Sequence, residues 1–424
     1  MVALRSAVDT GKIDPRPYQW LCYAMTGNAI RNYKGPAFIT ASVGAGKTIM
    51  IAMVAARFSQ MGYEGMIIAR QGEIIDQDAE ELWNLNVKNS LFSASLGRRV
   101  RHTRSLSAAK ERLLMLYSAR KRKRPPWVIS HRDFCLLMNA IRLTGRMLGT
   151  TSIKGPFWSG GEIVNIDTKY LVDLGFLVPT IFGVPDIEEL KYDLHDFESN
   201  GEDGAQDYTE SQLKAMQEEI IKQGTLTQKI MLKVMELTRN RNGVLITCAG
   251  KKHCKEAAKY LPDGSYAIVT DDMGQKMRRK ALKDAYTGKI KYVLQIGCLT
   301  TGVNIPLWDT SVILRKIMSL TLLVQLLGRG MRLLKSEQVD QGLVKEDHLV
   351  LDFTGTMFEL GALYDDPILE EAELQRSKRS GEEVPCPKCA TLNSPYARRC
   401  IGEDKLSPDG RCEEFFQLSA VWIR

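Results

Sequence analysis

The sequence predicts an α/β protein with two domains, each built on a parallel sheet, followed by a small metal-binding tail. Three observations carry this expectation. Short apolar runs alternate with helix-spaced segments twice along the chain. The first block opens on a strand, a glycine-rich turn and a helix, "ITASVGAGKTIMIAMVAAR" (39–57). Near the C-terminal end four cysteines cluster in "CPKCATLNSPYARRCIGEDKLSPDGRC" (386–412).

Taken in order, "GPAFITAS", "GMIIAR" and "WVISH" are the strand-like runs of the first third. "GVLITCA", "YAIVT", "KYVLQIG", "TSVILR" and "HLVLDF" recur between Gly243 and Phe353, with helical spacing in "KKHCKEAAKYL" and "QKMRRKALKDAY". Strand, helix, strand, repeated, argues for parallel sheets covered on both faces. The expected boundaries are 1–155 for the first sheet domain, 156–238 for a connector and helical linker, 239–358 for the second sheet domain and 359–424 for the tail. Within the linker the acidic, glycine-rich "DFESNGEDGAQDY" (196–208) reads as an exposed loop, and Thr209 with Gln212 has capping-box spacing for the next helix. The two blocks share a layout but no sequence repeat.

The chain has 424 residues, 44% hydrophobic and 25% charged, the profile of a globular protein of two or three domains. Its start, "MVALRSAVDTGKID", has no apolar signal core, and no stretch reaches the length of a membrane span. A cytoplasmic protein without a membrane partner is expected. Net charge is +8, yet residues 98–124 hold eleven Lys/Arg against the single Glu111, a local +10 that leaves −2 for the rest. A basic segment this concentrated, ending in Arg122 and Arg124, is the footprint of a phosphate-backbone contact; a solvated helix face plus loop is the alternative.

In "ASVGAGKT" Gly44, Ala45 and Gly46 let backbone N–H groups curl around phosphate oxygens, Lys47 reaches the terminal phosphates, and Thr48 can ligate Mg²⁺. The first position is Ala41, where the strict pattern has Gly. Upstream, "RPYQ" offers Arg16, Tyr18 and Gln19 to stack on and hydrogen-bond an adenine base. Far downstream come "CLTTGVNIP" (298–306) and "QLLGRGMR" (325–332). The latter sets Arg329 and Arg332 three apart, so a continuous helix would carry both guanidiniums on one face. Planar guanidiniums suit the charge that develops on a transferring phosphate.

With these motifs the chain resembles the superfamily 2 helicases, and within them the RadD-like family of DNA-repair ATPases. The likeness adds "ARQGEIIDQDAEEL", "WVISHRDF", "KYLVDLGFLVP" and "GVLITCAGKKHCKEAAKYL" to the segments above and covers most of the chain. It implies two RecA-like domains forming a superfamily 2 helicase core, with ATP between them and DNA, single-stranded or branched, across the top. It further implies that Arg70 and Ser130 meet nucleic acid, that Thr300 and Thr301 touch the DNA backbone or couple it to ATP, that Gly302 belongs with the nucleotide site, and that Gln325, Arg329 and Arg332 complete it. Single-strand-binding or repair proteins are the protein partners it suggests.

Two departures matter. Asn304 stands where the family usually has Asp, so a hydrogen bond can survive without the charge. The larger departure is the absence of Asp-Glu-x-His or Asp-Glu-x-Cys, the motif that supplies the Mg²⁺-ordering Asp and the catalytic Glu. Asp352 follows the arginine motif, Asp167 in "EIVNID" runs on into the connector, and Asp133 alone lies just past a core strand of the first domain. A lone Asp could hold metal but would lack the base that orients water. The economical inference is a deletion in the first domain. Loss of a central strand should expose apolar edges that the sheet had buried.

In the tail, Cys386, Cys389, Cys400 and Cys412 form one tight C-x-x-C knuckle plus two further thiols, a tetrahedral Zn²⁺ set of zinc-ribbon type. Disulfides are the alternative. Cys22, Cys135, Cys248, Cys254 and Cys298 read as core thiols, and His253 has no assigned role. Three functions compete: an ATP-driven DNA motor or remodeller, a nucleotide-gated DNA-binding protein that does not efficiently hydrolyse ATP, and a P-loop kinase or small-molecule transferase. The last leaves the second α/β block and its arginine motif unexplained.

Overall fold

The computed structural model describes residues 13–32, 37–61, 65–69, 79–93, 98–100, 113–117, 127–131, 140–144, 162–183, 190–197, 207–297, 299, 303–363, 367–380, 384–393, 400, 402 and 412. The chain divides into two compact units, residues 1–173 with 301–303, and residues 174–300 with 304–424.

In the first unit α1 (Pro17–Asn32) leads into β1 (Ala37–Ala41), the phosphate-loop turn and α2 (Lys47–Gln60). β2 (Gly65–Ala69), β3 (Asn89–Ser93), β4 (Arg98–Val100), β5 (Leu113–Tyr117), β6 (Trp127–His131), β7 (Ala140–Thr144), β8 (Glu162–Ile166) and the short α3 (Thr168–Asp173) follow. The eight strands form one sheet in the order β4-β3-β5-β2-β6-β7-β1-β8. β2, β6, β7, β1 and β8 are parallel, whereas β5, β3 and β4 add an antiparallel flank beside β2. α2 is buried almost all round, from Met50 to Ala56 and at Phe58, and packs against β2, while α1 packs on α2 and β8. That uniform apolarity fits a helix pressed between a sheet and a second helix.

Three expectations change here. The parallel run has no gap. β6 pairs with β2 on one side and β7 on the other, Ile129 opposite Ile67 and Ile141, so no apolar edge is left open where the missing motif would fall. "EIVNI", assigned from sequence to the connector, is β8 and pairs with β1, because an apolar five-residue run is satisfied by ladder hydrogen bonds that a surface connection cannot supply. Part of the basic segment, the alternative reading of which was a helix face, is strand: Arg98–Val100 and Leu113–Tyr117. Arg122 and Arg124 lie outside the described residues.

The second unit contains β9 (Thr180–Gly183), α4 (Glu210–Lys222), α5 (Gly224–Leu237), β10 (Gly243–Thr247), α6 (Lys251–Ala258), β11 (Tyr266–Val269), α7 (Gln275–Tyr286) and β12 (Tyr292–Gln295). It continues with β13 (Trp308–Ile313), α8 (Leu320–Gly330), α9 (Ser336–Val339), β14 (His348–Asp352), α10 (Thr356–Leu363), α11 (Pro367–Ser380) and the hairpin β15 (Val384–Pro385) with β16 (Leu392–Asn393). Six strands form an all-parallel sheet, β11-β12-β10-β13-β14-β9. β10, β12 and β13 are buried along their whole length, as parallel strands covered on both faces must be. β9 comes from the expected connector and closes the sheet beside β14.

The capping box is present as expected: Thr209 N donates to Gln212 Oε1 (2.9 Å), and the Thr209 hydroxyl accepts from Gln212 N. The acidic loop is not exposed to its end. Arg315, 1% exposed, donates through Nη2 to Asp207 (2.7 Å), whose other oxygen accepts from Met318 N, and Tyr208 is buried. A carboxylate is needed there because an unpaired guanidinium would be costly in that position. No helix of the described residues is long and apolar enough to cross a membrane.

His253 is a core residue. It is fully buried, its Nδ1 accepts from Ala249 N (3.3 Å), and Nε2 lies 3.4 Å from the Tyr192 hydroxyl, whose ring meets it edge-on. Only the tautomer protonated at Nε2 satisfies both contacts, and burial pulls the imidazole pKa down to about 3. This depressed value contributes stability that is present above the ordinary value of 6.5 and lost as pH falls toward 3. Urea unfolding should therefore show the second unit losing about 2 kcal/mol by pH 5 from this one group. His253→Gln should flatten that pH dependence; an unchanged pH profile would contradict the assignment.

Candidate functional site

The phosphate loop is built by β1 ending and α2 beginning within six residues. Gly44 and Gly46 have φ of 88° and 70°, left-handed values that side chains disfavour, and a Cβ on Gly46 would lie 2.4 Å from Gln19 Nε2. Lys47 folds back so that Nζ donates to Ala41 O and Ser42 O, both at 2.8 Å. Thr48 lies in the first turn of α2, which carries no acidic residue. The helix therefore presents its positive end to the turn without a carboxylate to cancel it.

Tyr18 and Gln19 are turned toward the phosphate loop. Both are buried; the Tyr18 hydroxyl donates to Ala45 O (3.0 Å) and Gln19 Nε2 donates to the same oxygen (3.0 Å). Gln19 Oε1 accepts from Arg16 N (2.9 Å), and the Arg16 guanidinium donates to the Tyr18 hydroxyl (3.2 Å). Burial raises the Tyr18 pKa, with Arg16 opposing, so the hydroxyl stays a neutral donor. "RPYQ" is thus a brace that fixes the middle of the phosphate loop from behind.

The strands flanking β1 decide which carboxylates stand near the loop. β7 is followed by no acidic residue before Glu162. β8 ends in Ile166, whose carbonyl accepts from Ser42 N (2.8 Å), and is followed at once by Asp167. Sequence reasoning set Asp167 aside as part of the connector, yet it adjoins the strand end tied to the phosphate loop, with its Oδ1 accepting from Tyr170 N (2.7 Å). Asp133, the sequence candidate, lies outside the described residues, two positions past β6, and β6 is separated from β1 by β7.

In the second unit Gln325 and Arg329 are buried on α8. Arg332 is not on that helix, contrary to the expectation of one shared face. α8 ends at Gly330 because extended pairing takes over: Val178 N donates to Met331 O (2.9 Å), and Arg332 forms an isolated antiparallel bridge with Leu177. Arg332 Nη1 donates to Asn304 Oδ1 at 2.7 Å, which joins the two motifs through the position where Asn replaces Asp. Burial lowers the Arg332 pKa to about 10, leaving it charged at neutral pH. Behind it Lys345 Nζ donates to Pro306 O and Trp308 O (2.7 and 2.8 Å) and fastens the end of the Asn304 segment. Thr300, Thr301, Gly302 and Arg70 lie outside the described residues. Ser130 is placed by its backbone on β6, opposite Ile68 and Arg142.

The tail cysteines converge. The Sγ atoms of Cys386, Cys389, Cys400 and Cys412 all lie within 4.8 Å of one another, with Cys386–Cys412 at 3.8 Å and Cys389–Cys400 at 3.4 Å, and none forms a disulfide. Four thiolates at about 2.3 Å from a zinc ion would be spaced by about 3.8 Å, so the set fits Zn²⁺. Lys388 N and Gly402 N donate to Cys386 Sγ and Cys400 Sγ (3.3 and 3.2 Å), the contacts a thiolate ligand attracts. Gly402 was not singled out from sequence. A Cβ there would lie 2.3 Å from Thr391 Oγ1 and 2.7 Å from Cys389 Sγ, so glycine is what lets the chain beside the third ligand approach the first knuckle.

Comparison with known proteins agrees with this architecture. The family described as "Type III restriction enzyme, res subunit" matches residues 12–123, and "Helicase conserved C-terminal domain" matches residues 226–333. No curated protein matches the chain. Among solved structures, a fragment described as an HsdR subunit of a type I restriction enzyme from Vibrio vulnificus YJ016 aligns with TM-score 0.51 and 15% identity, over 81% of this chain and 64% of that one. Helicase Lhr of Mycobacterium smegmatis, solved bound to single-stranded DNA and AMP-PNP, aligns at 0.48 and 11%, over 91% and 51%. The chain thus spans less than two thirds of either structure's length. The two family matches fall in this order, the restriction-enzyme type on the first unit and the helicase type on the second, so the chain is similar to superfamily 2 helicases in both halves of this fold.

Proposed function

We propose that this chain is an ATP-dependent, DNA-binding motor or remodeller of the RadD DNA-repair type, acting in the cytoplasm. The observation that supports the nucleotide half of this reading is the braced phosphate loop, in which Gly44, Gly46, Lys47 and Thr48 follow one another in the order that triphosphate and Mg²⁺ binding calls for. The DNA half rests on the basic segment 98–124 and on the two family matches. Arg332, held by Asn304, and Arg329 are the cations that would neutralise charge as the terminal phosphate leaves. The cysteine cluster would hold one zinc ion, whose chemistry there is structural: four thiolates closing a small ribbon.

A second reading is favoured by one specific observation. The parallel run from β2 to β8 is continuous, yet no strand in it ends in the paired Asp-Glu that orders metal and water. A nucleotide-gated DNA-binding protein, binding ATP and hydrolysing it poorly, follows directly. Loss of a water-positioning carboxylate lowers rates by on the order of 10²–10⁴.

Three measurements test this. Titration with a fluorescent ATP analogue should show Mg²⁺-dependent binding that Lys47→Ala abolishes; retention in that variant would remove the loop from the site. Phosphate release, with and without single-stranded DNA, separates the two readings, and the missing Asp-Glu pair leads to weak release, the outcome that supports the gated binder. Strong turnover lost in Arg332→Ala would favour the motor over the gated binder, and Asp167→Asn and Asp133→Asn would then show which carboxylate substitutes. Metal analysis should give one zinc per chain, and Cys389→Ser should release it while leaving ATP binding nearly intact.

A further inference from the structure

We infer that the outer face of α7 binds the phosphate backbone of a nucleic acid. The sequence of this helix, "QKMRRKALKDAY", separates its residues into two faces. Arg278, Ala281, Leu282 and Ala285, spaced i, i+3, i+4, i+7, are half-buried or buried and turn toward the sheet, where α7 packs on β11. Lys276, Arg279, Lys280 and Lys283 have the same spacing on the other side of the helix, and all four are exposed. The helix therefore carries a single stripe of four cations.

Two features separate this stripe from an ordinary solvated helix face. A neutral face interleaves signs, with acids four residues before bases. Here Lys276 and Lys280 repel each other at i, i+4, and so do Arg279 and Lys283. Among the described residues Lys280 alone of the four forms an ion pair, a solvent-exposed one with Asp284 (3.1 Å), while Asp272, before the helix, is engaged by Lys251 (2.6 Å). The stripe extends about 10 Å, seven residues at 1.5 Å each, longer than the separation of neighbouring phosphates on one strand, so it can meet more than one phosphate at a time. Its chemistry is selective for a repeating array of anions and offers no base-reading geometry, so the contact is independent of sequence.

This inference rests on the reading of the protein as a DNA binder, and it adds a surface distant in sequence from the basic segment 98–124. The test is fluorescence anisotropy of a labelled oligothymidine over a potassium chloride series. Lys276→Gln/Arg279→Gln/Lys283→Gln should weaken binding and make the slope of log affinity against log salt shallower by about 2, at about 0.7 per phosphate contact on a single strand. Lys214→Gln/Lys229→Gln/Lys255→Gln, which removes the same charge from exposed positions on α4, α5 and α6, should leave the slope unchanged. Wild-type slope in the α7 variant, or equal losses in both triples, overturns the inference while DNA binding itself stands. A wild-type chain that binds no oligothymidine at any salt overturns both. All six positions are exposed, so circular dichroism melting should match wild type.

Discussion

A parallel strand cannot turn back on its neighbour; the chain must cross over and re-enter from the same end, and this constraint arranges the parallel part of both sheets and the residues at its edge. It gathers the C-terminal ends of neighbouring strands along one edge of each sheet. In the first unit that edge carries the phosphate loop after β1 and Asp167 after β8, joined by the Ser42 N to Ile166 O hydrogen bond. In the second, Thr247, Gln295, Ile313 and Asp352 occupy equivalent ends in register. Gln295, fully buried, donates to the Thr247 hydroxyl and accepts from Leu299 N, which anchors the chain just before the Thr300–Asn304 segment.

The same constraint concentrates polar groups where solvent is scarce. Arg315 and Lys316 leave β13 into the interior and find Asp207 and Glu359 as partners. Such pairs add little net stability, but loss of one partner strands a charge, so they fix where distant segments sit. Asp207 thereby converts the end of an acidic loop into the starting point of α4. The segment that reads from sequence as an exposed loop thus ends in a counter-ion.

The elements legible in sequence were those specified by local chemistry. Glycines at fixed spacing before Lys-Thr, a Thr-x-x-Gln cap and a C-x-x-C knuckle each impose geometry within a few residues. What escaped depends on partners remote in sequence. Nothing local in "EIVNI" says that it pairs with β1, nothing in "GRGMR" says that Leu177 and Val178 draw the chain out of the helix, and nothing in "RPYQ" says that its side chains reach the carbonyl of Ala45. Gly402 is inconspicuous among 34 glycines until Thr391 and Cys389 are placed against it.

The brace behind the phosphate loop has a thermodynamic consequence. A glycine-rich turn left to itself samples many backbone states, and each must be surrendered when an anion arrives. Two side chains on α1 converging on the carbonyl of Ala45 remove much of that freedom before any ligand is present. For a nucleotide bound there as proposed, association would begin from a loop with fewer backbone states left to lose. In such a complex the free-energy difference would fall on dissociation more than on formation, so residence time is the quantity this small network would set.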